Sequence, residues 1–200
     1  MLILSMDTTS AVMSLALLED EKVLAESNEV LERGQVELLI PRIDKMLSEV
    51  GKDIGEVRAI AVGVGPGSFT GVRVGLATAR AFGLALNIPV WGVTSFEASA
   101  LGIGEACLSV LDTKREDFYV AFMDKDGGVQ GKPKVMTAEE LKSFMPFKAV
   151  GDGAERLSEV VGCSVLKSKY SLGTAVGKIA HIRQAGDAVP FYLREADVTV

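Results

Sequence analysis

The sequence predicts an α/β protein of two duplicated lobes, and three observations carry that prediction. Short apolar or alternating runs and helix-period runs follow one another as βββαβαβα over the first hundred residues, and the second hundred restarts with βββα. The opening strand ends in a carboxylate and a hydroxyl-rich turn, Asp7-Thr8-Thr9-Ser10. A glycine-rich turn, Gly65-Pro66-Gly67-Ser68-Phe69-Thr70-Gly71, leads into a helix on which Gly71, Gly75, Ala79 and Gly83 recur every fourth residue.

Residues 1–6, 12–19 and 22–28 read as strands because each run is short, apolar or alternating, and the turns between them are polar. The period then changes. Over residues 35–50, Val36, Leu39, Ile40, Ile43, Met46, Leu47 and Val50 recur at helical spacing, with Pro41 early enough to be tolerated near a first turn or to kink the helix. Residues 58–64 form a strand, 69–87 the small-residue helix, 90–93 a strand after Pro89, and 95–101 a helix stopped by Gly102. In the second half, strands are expected at 106–112, 117–124, 129–136 and 147–150, with helices at 138–144 and from Ala154. The lobes divide as 1–101 and a shortened 102–200, with a hinge near 102–105.

With 200 residues, 48% of them hydrophobic, the chain can bury one generous core or two small ones. A net charge of -6 argues against a primary nucleic-acid binder, which needs clustered Lys and Arg to neutralise phosphate. Cys107 and Cys163 form no CxxC, so neither a disulfide framework nor a thiolate zinc site is expected. His181 is the single histidine, which excludes an HExxH protease or any two-histidine metal centre built from this chain alone. The N-terminal apolar run lacks a basic flank and no apolar stretch nears the roughly 18 residues of a membrane span, so a cytoplasmic protein with no membrane partner is expected.

Four segments can carry chemistry, and each has a plainer alternative. Asp7-Thr8-Thr9-Ser10 can surround a phosphate, with Asp7 holding a hydrated magnesium ion, or can bond its own backbone as an Asx or ST turn; it contains no glycine to admit a phosphate. The Gly65–Gly71 turn precedes a helix N-terminus that favours an anion, yet it lacks the Gly-Lys-Ser/Thr of a P-loop and can simply supply an N-cap at Ser68 or Thr70. Asp112-Thr113-Lys114 opens the second lobe where Asp7 opens the first, and reads as a nucleotide or partner contact or as a solvated turn. Gly151-Asp152-Gly153 is a weak adenine-contact signal.

The small-residue helix asks for a reason. A helical glycine costs about 1 kcal/mol relative to alanine, so the stripe needs an offsetting gain, and close approach by another helix supplies one. Packing of that stripe inside its own lobe is the alternative.

Asp7-Thr8-Thr9-Ser10, the run from Gly63 through Gly65-Pro66-Gly67-Ser68-Phe69-Thr70-Gly71 to Gly75, and Pro190-Phe191-Tyr192-Leu193-Arg194 together resemble the bacterial TsaB (YeaZ) family. The glycine-rich motif is the most specific, and the likeness runs through residues 1–125 and returns at 189–195. The resemblance implies the actin, sugar-kinase and heat-shock-chaperone (ASKHA, ribonuclease H-like) fold. It also implies a non-catalytic dimerisation subunit of the machinery that makes threonylcarbamoyladenosine in tRNAs reading codons that begin with A. In that machinery the paralogue TsaD holds the metal and transfers the group, the ATPase TsaE joins the pair, and another enzyme makes the threonylcarbamoyl-adenylate.

Under this resemblance the helices at 35–50 and 69–87 dock on TsaD in a four-helix interface, through Val36, Leu39, Ile40, Ile43, Met46 and Leu47 and the stripe Gly71, Gly75, Ala79 and Gly83. The same face pairs two copies as a homodimer when the partner is absent; tRNA is contacted only indirectly, and no cofactor or metal is expected. Asp7, Thr8, Thr9, Ser10, Asp112 and Lys114 then read as vestigial nucleotide turns. Two departures bear on this: Gln35 stands where many relatives have a histidine before the helix proline, and Asp112-Thr113-Lys114 replaces Asp-Ala-Arg, removing bidentate arginine contacts. The main rival is an ATP-dependent phosphotransferase of the same fold; a metallopeptidase is disfavoured by the single histidine.

Overall fold

A computed structural model describes residues 1–31 and 34–194. Its first sheet contains β1 (Leu2–Asp7), β2 (Val12–Glu19), β3 (Lys22–Val30), β4 (Ala59–Gly63) and β5 (Val90–Val93), ordered β3-β2-β1-β4-β5. The second contains β6 (Cys107–Asp112), β7 (Asp117–Met123), β8 (Val129–Thr137), β9 (Lys148–Val150) and β10 (Ser164–Val165), ordered β8-β7-β6-β9-β10. Counted from its own first strand, each sheet is 3-2-1-4-5. In each, the first three strands form an antiparallel meander and the last two add in parallel. The duplication expected from element order is therefore present in strand order and polarity as well.

Helices α1 (Gln35–Glu49), α2 (Phe69–Leu86), α3 (Ser95–Ala100), α4 (Ala138–Lys142), α5 (Ala154–Val161) and α6 (Leu172–Arg183) complete the chain. Their starts follow local chemistry. The hydroxyls of Ser68, Thr94, Thr137 and Ser171 accept backbone N–H groups of the first turns, and Glu97 and Glu140 close reciprocal capping boxes.

The layers run helix, sheet, helix, sheet, helix. Leu2, Leu4 and Met6 of β1 meet Leu39, Ile43 and Val72 of α1 and α2 on one face, while Ile3 meets Ala175, Val176 and Ile179 of α6 on the other. Burial on both faces is why β1 is apolar at nearly every position instead of alternating. On the second sheet, α4 and α5 cover Val110, Phe118 and Val120, and Phe96 and Ala100 of α3 cover the opposite face. The two middle helices pack against each other, and Arg183 Nη2 of α6 pairs with Glu97 Oε1 of α3 at 2.7 Å.

This layering corrects the division at 101/102. That point does separate the sheets, but α6, from the second half of the chain, packs on β1, β2 and β4, and α3, from the first half, packs on β6 and β7. The lobes exchange their covering helices. Elsewhere the expected elements lie within a few residues of the observed ones; the two-residue β10 and the 3-10 turn Ile54–Glu56 are too short to show a period.

Candidate functional site

Asp7 ends β1 and is fully buried. Its Oδ1 accepts the backbone N–H of Thr9 at 3.0 Å and the Thr9 hydroxyl at 2.9 Å, while Oδ2 is buried without a partner. Desolvation by burial pushes the carboxyl up to about 6, against the pull of the two Thr9 bonds. The hydroxyl of Thr8 donates to the Gly71 carbonyl oxygen at 2.6 Å, and the Thr9 carbonyl oxygen accepts the Ser68 N–H at 2.6 Å. The Thr9 and Ser95 hydroxyls lie 3.0 Å apart. The turn is thus bonded to itself and to the glycine-rich loop, as in the Asx-turn alternative. The Thr8 and Thr9 hydroxyls and the Ser68 N–H are already engaged, and Ser10 bonds to Val12 through its hydroxyl and accepts Gln35 Nε2–H on its carbonyl oxygen at 3.1 Å.

The second lobe repeats the pattern with more charge. Asp112 Oδ1 accepts the Lys114 N–H at 2.8 Å, its Oδ2 meets Lys114 Nζ at 2.9 Å, and Arg156 Nη2 reaches Oδ1 at 2.9 Å. Despite partial desolvation, the bonds from Lys114 and the charge of Arg156 hold Asp112 below the usual carboxylate range. Asp152 of the Gly-Asp-Gly turn accepts the Asp112 N–H at 2.9 Å, so that turn braces the hairpin. Both turns border a cleft of about 1200 Å³ between the lobes, which Thr9, Ser10, Ser68, Asp112, Lys114, Asp152, Tyr192 and Arg194 help to line. Among the described residues, no cluster of three His, Cys, Asp or Glu could hold a metal ion, and no helix is long and apolar enough to cross a membrane.

The helix residues expected at a partner interface divide into two groups. Leu39, Ile43, Met46 and Leu47 are buried in the first-lobe core. Gly71, Gly75, Ala79 and Gly83 are buried too, and their neighbours are internal. A Cβ on Gly71 would collide with the Thr8 carbonyl oxygen, one on Gly75 would lie 2.6 Å from Thr8 Oγ1, and one on Gly83 would collide with Val90 Cγ2. These eight residues are corrected from docking surface to core: the stripe admits the first turn and β5, not a helix of another protein.

Val36 and Ile40 remain exposed on α1, at 59% and 57%. The far side of α2 joins them with residues the expectation had missed. Phe69, Arg73, Ala77, Ala81 and Leu84 are exposed, Leu84 at 86%, and the Arg73 guanidinium lies 3.7 Å above the Phe69 ring. A signal was available, because α2 has only two charged residues, Arg73 and Arg80, in 18 and is apolar around most of its circumference.

The family model described as "TsaD: tRNA N6-adenosine threonylcarbamoyltransferase" matches residues 24–164. The tRNA threonylcarbamoyladenosine biosynthesis protein TsaB of Escherichia coli is 31% identical over 163 residues, covering 79% of this chain and 68% of that protein. The solved structure of YeaZ from Pseudomonas aeruginosa superposes with a TM-score of 0.80 at 22% identity, covering 96% of this chain and 99% of that one. More distantly, an activator of 2-hydroxyisocaproyl-CoA dehydratase from Clostridium difficile, solved with bound ADPNP, shares the fold at a TM-score of 0.56 and 9% identity, covering 91% of this chain and 95% of that one. With the two 3-2-1-4-5 sheets and exchanged middle helices, these likenesses place the fold among the ASKHA proteins. The chain belongs to the TsaB (YeaZ) family of tRNA threonylcarbamoyladenosine biosynthesis proteins.

Proposed function

We propose that this chain is the non-catalytic scaffold subunit of the threonylcarbamoyladenosine machinery, docking a TsaD paralogue through the outward faces of α1 and α2. The observation that carries the reading is the apolar surface made by Val36, Ile40, Phe69 and Leu84 on two adjacent helices. Large apolar side chains gathered on one face mark an interaction surface. A TsaD paralogue shares the family model's fold, so an equivalent helix pair can complete a four-helix contact with packing of the usual 8–10 Å kind. Without the partner, two copies cover the same face as a homodimer. TsaE joins the assembled pair, and tRNA is reached through the partner because this chain carries a net charge of -6.

The self-bonded first turn supports the non-catalytic part of the reading: Thr8 and Thr9 are occupied, and Asp7 is sealed beneath them. Reconstitution with TsaD, TsaE, the threonylcarbamoyl-adenylate synthase and tRNA tests it. Modification is expected to depend on this chain, which alone shows no transfer, no stoichiometric zinc or iron, and no tRNA binding near 150 mM salt. Full modification without it contradicts the proposal. An ATPase rate in the isolated chain that Asp7→Ala abolishes would favour the phosphotransferase alternative.

A further inference from the structure

After α6 the chain does not stop at the first lobe. It forms a strap, residues 186–194, laid across both lobes. The Gly186 carbonyl oxygen accepts the Gly92 N–H at 3.2 Å, which brings the strap beside β5, the edge of the first sheet. Gly92 permits this approach, since a Cβ there would collide with the Asp187 carbonyl oxygen. Arg80 of α2 donates Nε and Nη2 to the Ala188 carbonyl oxygen at 3.0 and 2.5 Å. The Phe191 N–H donates to the Val64 carbonyl oxygen at 2.8 Å, and its ring packs against the cores of both lobes. Tyr192 then lies on Phe69 with centroids 5.3 Å apart, Leu193 packs into the cluster between α3 and the second sheet, and Arg194 Nη2 pairs with Asp117 Oδ2 at the start of β7.

We infer that this strap is an interlobe latch whose last three residues set the width of the cleft. The first turn of α2 and the β6–β7 hairpin are opposing cleft walls, and Tyr192 and Arg194 tie one to the other while themselves lining the cleft. The middle helices pack on each other between the sheets, where a turning of one lobe against the other would pivot. Anchoring is uneven along the strap. Its first half is fixed by backbone bonds and by the Phe191 ring, whereas the Arg194–Asp117 pair is part-exposed, at 29% and 19%, and Tyr192 is exposed. Exposed ion pairs are weak and reached by salt and water, so release begins at the cleft mouth and leaves the cores intact. The latch shares Phe69 with the docking face of α2, so its test is read on the isolated chain, without a partner.

Spin labels on Asp44→Cys and Lys134→Cys, exposed positions on the two lobes, report the interlobe distance. Cys107 and Cys163 are buried, with the Cys107 thiol pushed up to about 11 by desolvation, so labelling is directed to the new sites. With the strap intact a single distance band is expected. Tyr192→Ala with Arg194→Ala should move at least half of the population to longer distances, and Arg194→Lys alone should keep most of the original band. Asp117→Asn, which breaks the same pair from the second lobe, should open the cleft in the same direction and decides the matter if the strap double variant does not fold. An unchanged distance distribution in the folded double variant, or in Asp117→Asn, overturns the latch.

Discussion

The two faces of α2 are built from equally modest residues and behave oppositely. Inward, Gly71 and Gly75 let Thr8 press against the helix and Gly83 admits the side chain of Val90, with Ala79 buried in the same stripe. Outward, Ala77, Ala81 and Leu84 are left exposed by the described residues, Leu84 at 86%. Small side chains thus have two separate uses on one helix: absence of a Cβ makes room for the protein's own turn, while exposed methyl groups form a flat apolar surface. The comparison also explains how the helix tolerates its glycines. What offsets their propensity cost is the hydrogen bond from Thr8 to the Gly71 carbonyl oxygen and the close packing around it.

The strongest way to break this comparison is Gly75→Leu. A side chain there meets Thr8 Oγ1 within 2.6 Å, so overpacking and loss of a buried hydrogen bond add. The expected cost is about 3–5 kcal/mol, lowering the melting temperature by roughly 10 °C. A variant as stable as the parent would return the stripe to the surface.

Two neighbours on α1 sharpen the same contrast. Leu39→Ala, in the core, should cost about 2–4 kcal/mol in chemical denaturation, whereas Ile40→Ala, one residue on and 57% exposed, should stay within about 0.5 kcal/mol. Equal losses would mean that both positions are core.

A smaller effect comes from Asp7, which the inward face seals from water. Its folded-state value of about 6 lies above the ordinary 3.8, so between these values the folded protein holds more protons than the unfolded chain. The stability linked to Asp7 is therefore fully present below about pH 4 and is lost as pH rises through about 6, an effect on the order of 3 kcal/mol. Unfolding free energies for parent and Asp7→Asn across that window should differ in slope, the parent falling relative to the variant. Parallel curves would show that Asp7 ionises freely.

Much of this arrangement could be read from the sequence. Strand alternation, the hydroxyl caps and the restart of βββα after Gly102 are local signals, and the structure follows them. The self-bonded turn was legible as well, since Asp7 to Ser10 contains no glycine through which a phosphate could approach. What spacing could not supply was the identity of the neighbour. Gly71 to Gly83 announces that something comes close, and only the fold reveals a turn of the same chain. The apolar arc of α1 was likewise too wide for a single core contact, with Leu39, Ile43, Met46 and Leu47 filling the core while Val36 and Ile40 stand outside it. The exchange of α3 and α6 depends on long-range packing that no local pattern encodes.

The most direct test of the docking face is calorimetric titration of a TsaD paralogue with the parent chain and with the Ile40→Glu/Leu84→Glu double variant. The two substitutions place charges on the exposed apolar surface and touch none of the core. The account predicts an unchanged melting temperature together with at least a hundredfold loss of affinity, about 2.7 kcal/mol. A folded double variant that binds the paralogue as tightly as the parent would contradict it.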